Sequence, residues 1–373
     1  MPIRVVTGGG AIDELGSSAR ELGFSRSLLV ADTGVVKAGH LARARASLDA
    51  AGVAAIVFSE FGPNPDADML ETGRRYAAEQ RIDSIIGVGG GSSLDCAKGI
   101  NFVLTQGEAI HAFRGYGKAA KPMLPMIGVP TTAGTGSEAQ SYAIISDPRT
   151  HEKMACGDPK AAFRVVILDP QLTVTQPATV TAAAGYDALS HAVESFVCTK
   201  RSAQSAEKAL EAWRLLEPNY ERVLSAPENL SARAAMQLGA FRAGEAIELS
   251  MLGATHACAN PLTARYGTTH GVAIAILLPH VVRWNTRFAD QMYAEMLSVS
   301  PDATHEPYAT DTLATRLSEL ASMGELPRTL ADIGASASDL PTLAKEAADQ
   351  WTGRFNPRPF DAAGALEIYE CAY

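Results

Sequence analysis

The sequence predicts an α/β nucleotide-binding domain with a parallel sheet, followed by an all-α helical domain, and three observations carry the prediction. Short β-branched runs alternate with helical stretches up to about residue 175, the pattern of βαβ units in a sheet covered on both faces. Two glycine-rich turns each follow a buried apolar run. After Pro177 the strand signals nearly vanish, and alanine-rich helical stretches run from Thr179 to the end. A chain of 373 residues exceeds the usual single-core size. The expected domains are therefore 1–177 and 178–373.

Taken in order, SLLVAD (27–32) reads as a strand and VKAGHLARARASLDAAG (36–52) as one amphipathic helix. AAIVFSE (54–60) is the next strand, DADMLETGRRYAAEQ (66–80) the next helix, and IDSIIGVGG (82–90) a buried strand. LPMIGVPTT (124–132) and FRVVILDP (163–170) add further strands. In the second half, Pro218, Pro227, Pro261, Pro279, Pro301 and Pro327 are expected to interrupt the helices. Pro261 and Gly267 should bend the chain back between two histidines. No internal repeat or low-complexity tract is present.

Composition narrows the function classes. Hydrophobic content of 47% and charged content of 20% are those of an ordinary globular protein. A net charge of −9 argues against a nucleic-acid partner, which needs a basic face. The opening MPIRVVTGGG has no apolar signal core, and the longest apolar run, GVAIAILLPHVV, is too short to span a bilayer. Five scattered cysteines without CxxC pairing fit reduced thiols in a cytoplasm. The expectation is a cytoplasmic protein with neither membrane nor nucleic-acid partner.

Chemistry concentrates in two stretches of the helical half. Asp187 and His191 lie in AAGYDALSHAVESF, four residues apart and so one turn above each other on a helix. His256 and His270 lie in GATHACANPLTARYGTTHGVAIAILLPH. One carboxylate and three imidazoles suit Fe(II), Zn(II) or a similar divalent ion. An Asp/His pair at this spacing also arises as a helix-surface pair. Here, though, Ala182 to Ala184, Ala188, Ala192 and Val193 leave no solvated face, and a buried Asp187 needs a compensating charge. His280, in LLPHVV, reads as a core histidine.

The first half carries two loops suited to phosphate. In IIGVGGGSSLDCAKGI a buried strand runs into Gly89, Gly90 and Gly91, and Ser92 and Ser93 then open a helix. Glycines allow close backbone approach, and a helix start offers free N–H groups to an anion. GVPTTAGTGSEAQS repeats the logic with hydroxyls from Thr131, Thr132, Thr135 and Ser137. Neither loop is a GxGxxG or Walker motif. The pyrophosphate of a dinucleotide is the favoured guest. Asp32, closing its strand at the carboxyl edge, reads either as a ribose-binding acid or as a helix cap.

TGGGAIDELG, VADTGVVKAG, PNPD (63–66), GVGGGSSLDCAK, PTTAGTGSE, LDPQLT, GYDALSHAVES, the two-histidine block and NPRP (356–359) together resemble the iron-containing (group III) alcohol dehydrogenases, of the dehydroquinate-synthase-like fold. The resemblance runs almost end to end. It implies that Asp187, His191, His256 and His270 are the metal ligands. It implies that Asp32 contacts the adenosine ribose, with Asn64 close to the nucleotide, and that Gly89, Gly90, Gly91 and Ser92 hold the pyrophosphate. Thr131, Thr132, Thr135 and Ser137 would line the cofactor cleft, and Lys153 would reach a ribose or phosphate oxygen. At the position where family members typically carry a further histidine near the substrate, this chain has Asn260, which can hydrogen-bond but cannot carry a proton near neutral pH.

The implied activity is NAD-dependent, iron-type alcohol dehydrogenation (EC 1.1.1.-). A metal-dependent, NAD(H)-linked oxidoreductase would interconvert a small alcohol with its aldehyde or ketone by hydride transfer. A homo-oligomer, a dimer, is implied by resemblance alone. Polyol oxidation of the glycerol-dehydrogenase kind is the alternative, although that branch generally lacks the second histidine of the Asp-x-x-x-His pair. A dehydroquinate-synthase-like lyase would need a cluster of bases in the helical half, where Arg265 is the nearest to the metal motifs.

Overall fold

The computed structural model describes residues 3–150, 152–300 and 309–373. Contacts divide the chain into two compact units. One comprises Met1–Thr132 and Ser137–Gln176, and the other Ala133–Gly136 and Pro177–Tyr373.

The first unit is the α/β layer structure expected. Its elements begin with β1 (Arg4–Thr7), α1 (Leu15–Glu21), β2 (Arg26–Val30), α2 (Thr33–Lys37), α3 (His40–Ala50) and β3 (Ala54–Phe58). They continue through α4 (Ala67–Gln80), β4 (Ser84–Gly89), α5 (Gly91–Gln106), β5 (Gly115–Tyr116), β6 (Met126–Pro130), β7 (Tyr142–Ser146), β8 (Lys153–Gly157) and β9 (Val165–Leu168). Six strands form one sheet in the order β1-β9-β6-β4-β2-β3, parallel at every pairing. The central strands β4 and β6 are buried throughout, as strands covered on both faces must be. Ile12, Leu15, Leu29, Leu48, Ile86, Val88, Ile127, Val129, Val165 and Ile167 pack into one core. A smaller sheet joins β7 antiparallel and β5 parallel to β8. Neither β1 nor this smaller sheet was anticipated from the sequence.

The helix expected over 36–52 is two helices. Gly39 has φ 82°, a left-handed conformation that ends α2 and begins α3. Asp32 lies beyond β2 and caps α2.

From β2 the chain crosses to its neighbour β3, whereas from β4 it leaves toward β6 on the opposite side. The carboxyl ends of β2 and β4, adjacent in the sheet, therefore flank a topological switch point, where open α/β sheets bind ligands.

The second unit is helical throughout its named elements: α6 (Ala178–Val197), α7 (Ala203–Ser225), α8 (Leu230–Leu249), α9 (Ala254–Tyr266), α10 (His270–Trp284), α11 (Thr286–Leu297), α12 (Ala309–Met323), α13 (Leu340–Ala348) and α14 (Ala362–Ala372). Among the described residues no helix is long and apolar enough to cross a membrane.

Three of the expected proline breaks are absent. Pro218, Pro261 and Pro279 sit inside α7, α9 and α10. An interior proline costs about 3 kcal/mol. Burial of Trp213, Leu216 and Tyr220 around the first, Leu262 beside the second, and Leu277, Leu278 and Val281 around the third outweighs it, at roughly 1.5–3 kcal/mol per large side chain. The bend between His256 and His270 is made by Gly267 alone, at φ 64°. Pro227 and Pro327 do fall between helices, and Pro301 lies outside the described residues.

Candidate metal centre and nucleotide loops

Helix α6 is buried along almost its whole length. It presents Asp187 and His191 to the start of α9, which brings His256, and to the first residue of α10, which is His270. Asp187 Oδ1 lies 3.3 Å from His191 Nε2, 3.6 Å from His256 Nε2 and 3.9 Å from His270 Nε2. The His191 and His256 Nε2 atoms are 3.1 Å apart, their rings nearly stacked. Ligand atoms of Asp187, His256 and His270 all fall within 4.8 Å of one another. His191 adjoins this trio through Asp187 and His256.

These atoms fit a divalent ion. Ligands about 2.0–2.2 Å from one ion sit roughly 3–4 Å apart. Asp187 Oδ1 is shielded from solvent yet accepts no hydrogen bond, a costly state for a bare carboxylate oxygen. Charge tells the same story. Two buried carboxylates, Asp187 and Glu194, face the imidazoles. Burial alone would raise Asp187, but His191 and then His256 and His270 hold it below the ordinary carboxylate range. Burial depresses His191 to about 4. Burial likewise opposes charging of His256, yet the nearby Asp187 carboxylate and the bond to Glu194 raise it to about 9. The cluster thus seeks positive charge.

Glu194 was missed in the sequence. It lies three residues after His191 and seven after Asp187 on the same helix, and its Oε2 is 2.5 Å from His256 Nδ1. The signal was present: a glutamate at helical spacing on a helix without a solvated face. Asn260, one turn after His256, donates from Nδ2 to Gln350 Oε1 at 3.1 Å. His280 is partly buried and its pKa is lowered, chiefly by that burial.

In the α/β unit most of the expected nucleotide residues lie just beyond the ends of β2, β3, β4 and β6. Asp32 Oδ1 accepts from the amides of Gly34 and Val35, while Oδ2 accepts from the Ser93 hydroxyl at 2.9 Å. The capping role is therefore realised, and Oδ2 keeps lone-pair capacity. Ser92 Oγ accepts from the Asn64 amide at 3.2 Å, and Asn64 has φ 54°. Gly89 has φ 147°, and a Cβ there would lie 2.3 Å from Ser93 Oγ. Gly89 ends β4, Gly90 stands at the N-cap of α5, and Gly91 opens that helix.

The second loop joins the first where the Thr131 amide donates to the Gly89 carbonyl at 3.0 Å. The Thr132 side chain lies against Gly90. Thr135 is exposed on the Ala133–Gly136 segment of the helical unit. Ser137 is buried, donating to Asp95 at 2.6 Å and accepting from Lys98 at 3.1 Å. Lys98 also donates to the carbonyls of Ser137, Gln140 and Tyr142. Lys153 opens β8 opposite Ser146, and its charge acts on Asp95.

Residues 2–170 match the family of iron-containing alcohol dehydrogenases, and residues 181–373 match the C-terminal part of the Fe-containing alcohol dehydrogenase family. The chain is 32% identical to a 1,3-propanediol dehydrogenase of Citrobacter freundii, over 98% of this chain and 96% of that one. It is 30% identical to an NAD-dependent methanol dehydrogenase of Bacillus methanolicus, over 96% and 95%. Among solved structures it is similar to an alcohol dehydrogenase from Oenococcus oeni, with TM-score 0.96, 31% identity and coverage of 100% and 99%.

Proposed function

Since the chain belongs to the iron-containing alcohol dehydrogenase family, and is thereby an NAD(H)-linked, metal-dependent oxidoreductase, we propose the residues that do its chemistry. Asp187, His191, His256 and His270 hold the divalent ion, Fe(II) or Zn(II). Asp32, Asn64, Gly89, Gly90, Gly91, Ser92, Thr131, Thr132, Thr135 and Lys153 hold NAD(H), with Ser137 bracing the second loop from within. The substrate is a small aliphatic alcohol or its aldehyde, the class carried in the names of the propanediol and methanol relatives. The observation that carries the reading is Asp187 Oδ1, buried without a hydrogen bond and ringed by three imidazole nitrogens.

When bound, the ion supplies Lewis acidity to the alcohol or carbonyl oxygen and the nicotinamide carries the hydride. The chain's own residues supply placement and charge. Asp187 brings the negative charge that balances the ion, and buried His191 and His256 offer Nε2 atoms already aimed at one point. Asn260, steadied by Gln350, can orient a substrate hydroxyl or a water but cannot accept its proton near neutral pH. Any proton leaving the alcohol must then travel through water or ribose hydroxyls.

The test is NADH consumption against a panel of aldehydes, on protein reconstituted separately with Fe(II) and with Zn(II). Asp187→Ala and His256→Ala should each lose metal and turnover while keeping the circular dichroism of the wild type. Full metal occupancy in both variants would overturn the ligand assignment.

A further inference from the structure

Glu194 does more than touch His256. Its carboxylate is almost wholly buried on α6, yet all of its recorded hydrogen bonds go to the first turn of another helix. Oε1 accepts from the Thr255 amide at 2.7 Å. Oε2 accepts from the His256 amide at 3.4 Å and from His256 Nδ1 at 2.5 Å. Thr255 and His256 are the second and third residues of α9, whose opening amides have no partner within the helix. A carboxylate brought from α6 therefore caps the N-terminus of α9, where the helix dipole also favours negative charge.

The remaining amide of that turn, Ala254 N, donates to Asn356 Oδ1 at 3.2 Å. Asn356 in turn exchanges hydrogen bonds with Asn285, which directly follows α10. One buried polar chain thus ties together the three helices that carry the proposed ligands. Gly253 is the gap through which it runs. A Cβ there would lie 2.9 Å from Asn356 Oδ1 and 3.0 Å from Glu194 Oε1.

The imidazole itself has two nitrogens with separate tasks. Glu194 as a carboxylate can only accept, so the proton in the 2.5 Å contact belongs to Nδ1. That assignment leaves Nε2, on the opposite side of the ring, to face Asp187. A carboxylate behind a histidine fixes its tautomer, aims the ring and raises its basicity toward a metal.

Resting on the metal-centre reading above, we propose that Glu194 is the positioning residue of that centre: it holds His256 as an Nε2 ligand, locks α9 against α6, and thereby sets the affinity for the ion.

The decisive variant is Glu194→Gln, which keeps an acceptor for the Thr255 amide but loses the charge behind His256. Zinc affinity, read by competition with a chromophoric chelator, should fall about 10–100-fold, with the apo-protein still folded. A wild-type zinc affinity in Glu194→Gln overturns the proposal. So does a lowered apo Tm with unchanged affinity, the signature of a purely structural cap. Asp187→Ala, run alongside, separates the two readings, since retention of zinc there sinks the metal centre itself. If Glu194→Gln does not fold, the zinc-loaded wild type decides, with histidine side chains labelled with 15N. A protected, downfield proton on His256 Nδ1 supports the proposal, and a proton on Nε2 overturns it.

Discussion

Asp32 shows that two readings that looked exclusive in the sequence, a helix cap and a ribose-binding acid, are compatible in one side chain. Its Oδ1 caps α2, and its Oδ2 is held by Ser93, so the carboxylate is fixed before any ligand arrives. A fixed negative charge at this edge disfavours a 2′-phosphate. Wild-type protein should therefore prefer NAD(H), and Asp32→Gly should raise kcat/KM for NADPH while costing only a few tenths of a kcal/mol as a cap. Equal use of NADPH by the wild type would remove Asp32 from the cofactor site. Asn260 makes a different prediction. The Asn260→His variant should add an ionisation near pH 6–7 to the pH–rate profile, the range of an unperturbed imidazole, and the wild type should lack it. The four proposed ligands were readable because few titratable residues fall in apolar helices. Glu194 escaped notice because a glutamate in a helix usually faces water, and only the burial of α6 makes it exceptional.

At the scale of elements, the legible pieces were those whose burial is one-sided or complete. β2, β4, β6 and β9 are mostly apolar runs and were read with ends misplaced by one or two residues. β1 has only four residues, none of them buried, and β7 and β8 carry Tyr, Ser, Lys and Gly in place of an unbroken apolar run. Local sequence gave them little weight. The proline error has the opposite origin, since helix-breaking is a local cost that tertiary burial overrode. Helix packing also sets a sharp test. A Cβ on Gly271, the second residue of α10, would lie 2.1 Å from the Ala183 carbonyl oxygen of α6. Backbone meets backbone there, so no side chain can turn aside. Gly271→Ala should force α10 off α6, costing about 1–3 kcal/mol. It should also weaken zinc binding through the adjacent His270. Unchanged Tm and zinc affinity would mean that the helices part freely.

For the molecule as a whole, the change of periodicity near residue 175 is where the α/β unit gives way to the helical unit. The path of the chain between the units was not legible in the sequence. Stability should carry a signature of the α/β unit. Burial raises the Glu138 carboxyl to about 7, against the opposing pull of its own backbone bond and of Lys98. A carboxyl raised in the folded state favours folding fully below its unfolded value, and that contribution is lost as pH rises through about 7. The unit should therefore lose up to roughly 3 kcal/mol between about pH 4.5 and 7 from this group. Glu138→Gln should flatten the Tm–pH curve across that window, and a curve parallel to wild type would refute the assignment. The helical unit imposes a constraint of another kind, one of timing. Its Ala133–Gly136 segment precedes α6 by about forty residues of chain. A Cβ on Gly134 would strike Ala184 of α6, and one on Gly136 would strike Gly244 of α8. A ribosome adding about 5–20 residues per second reaches the end of α8 several seconds after making this segment. The nascent α/β unit must therefore wait with three residues destined for burial in the helical unit, Ala133, Gly134 and Gly136, still out in the open, and a cut in the gene at residue 177 strands them on the wrong side.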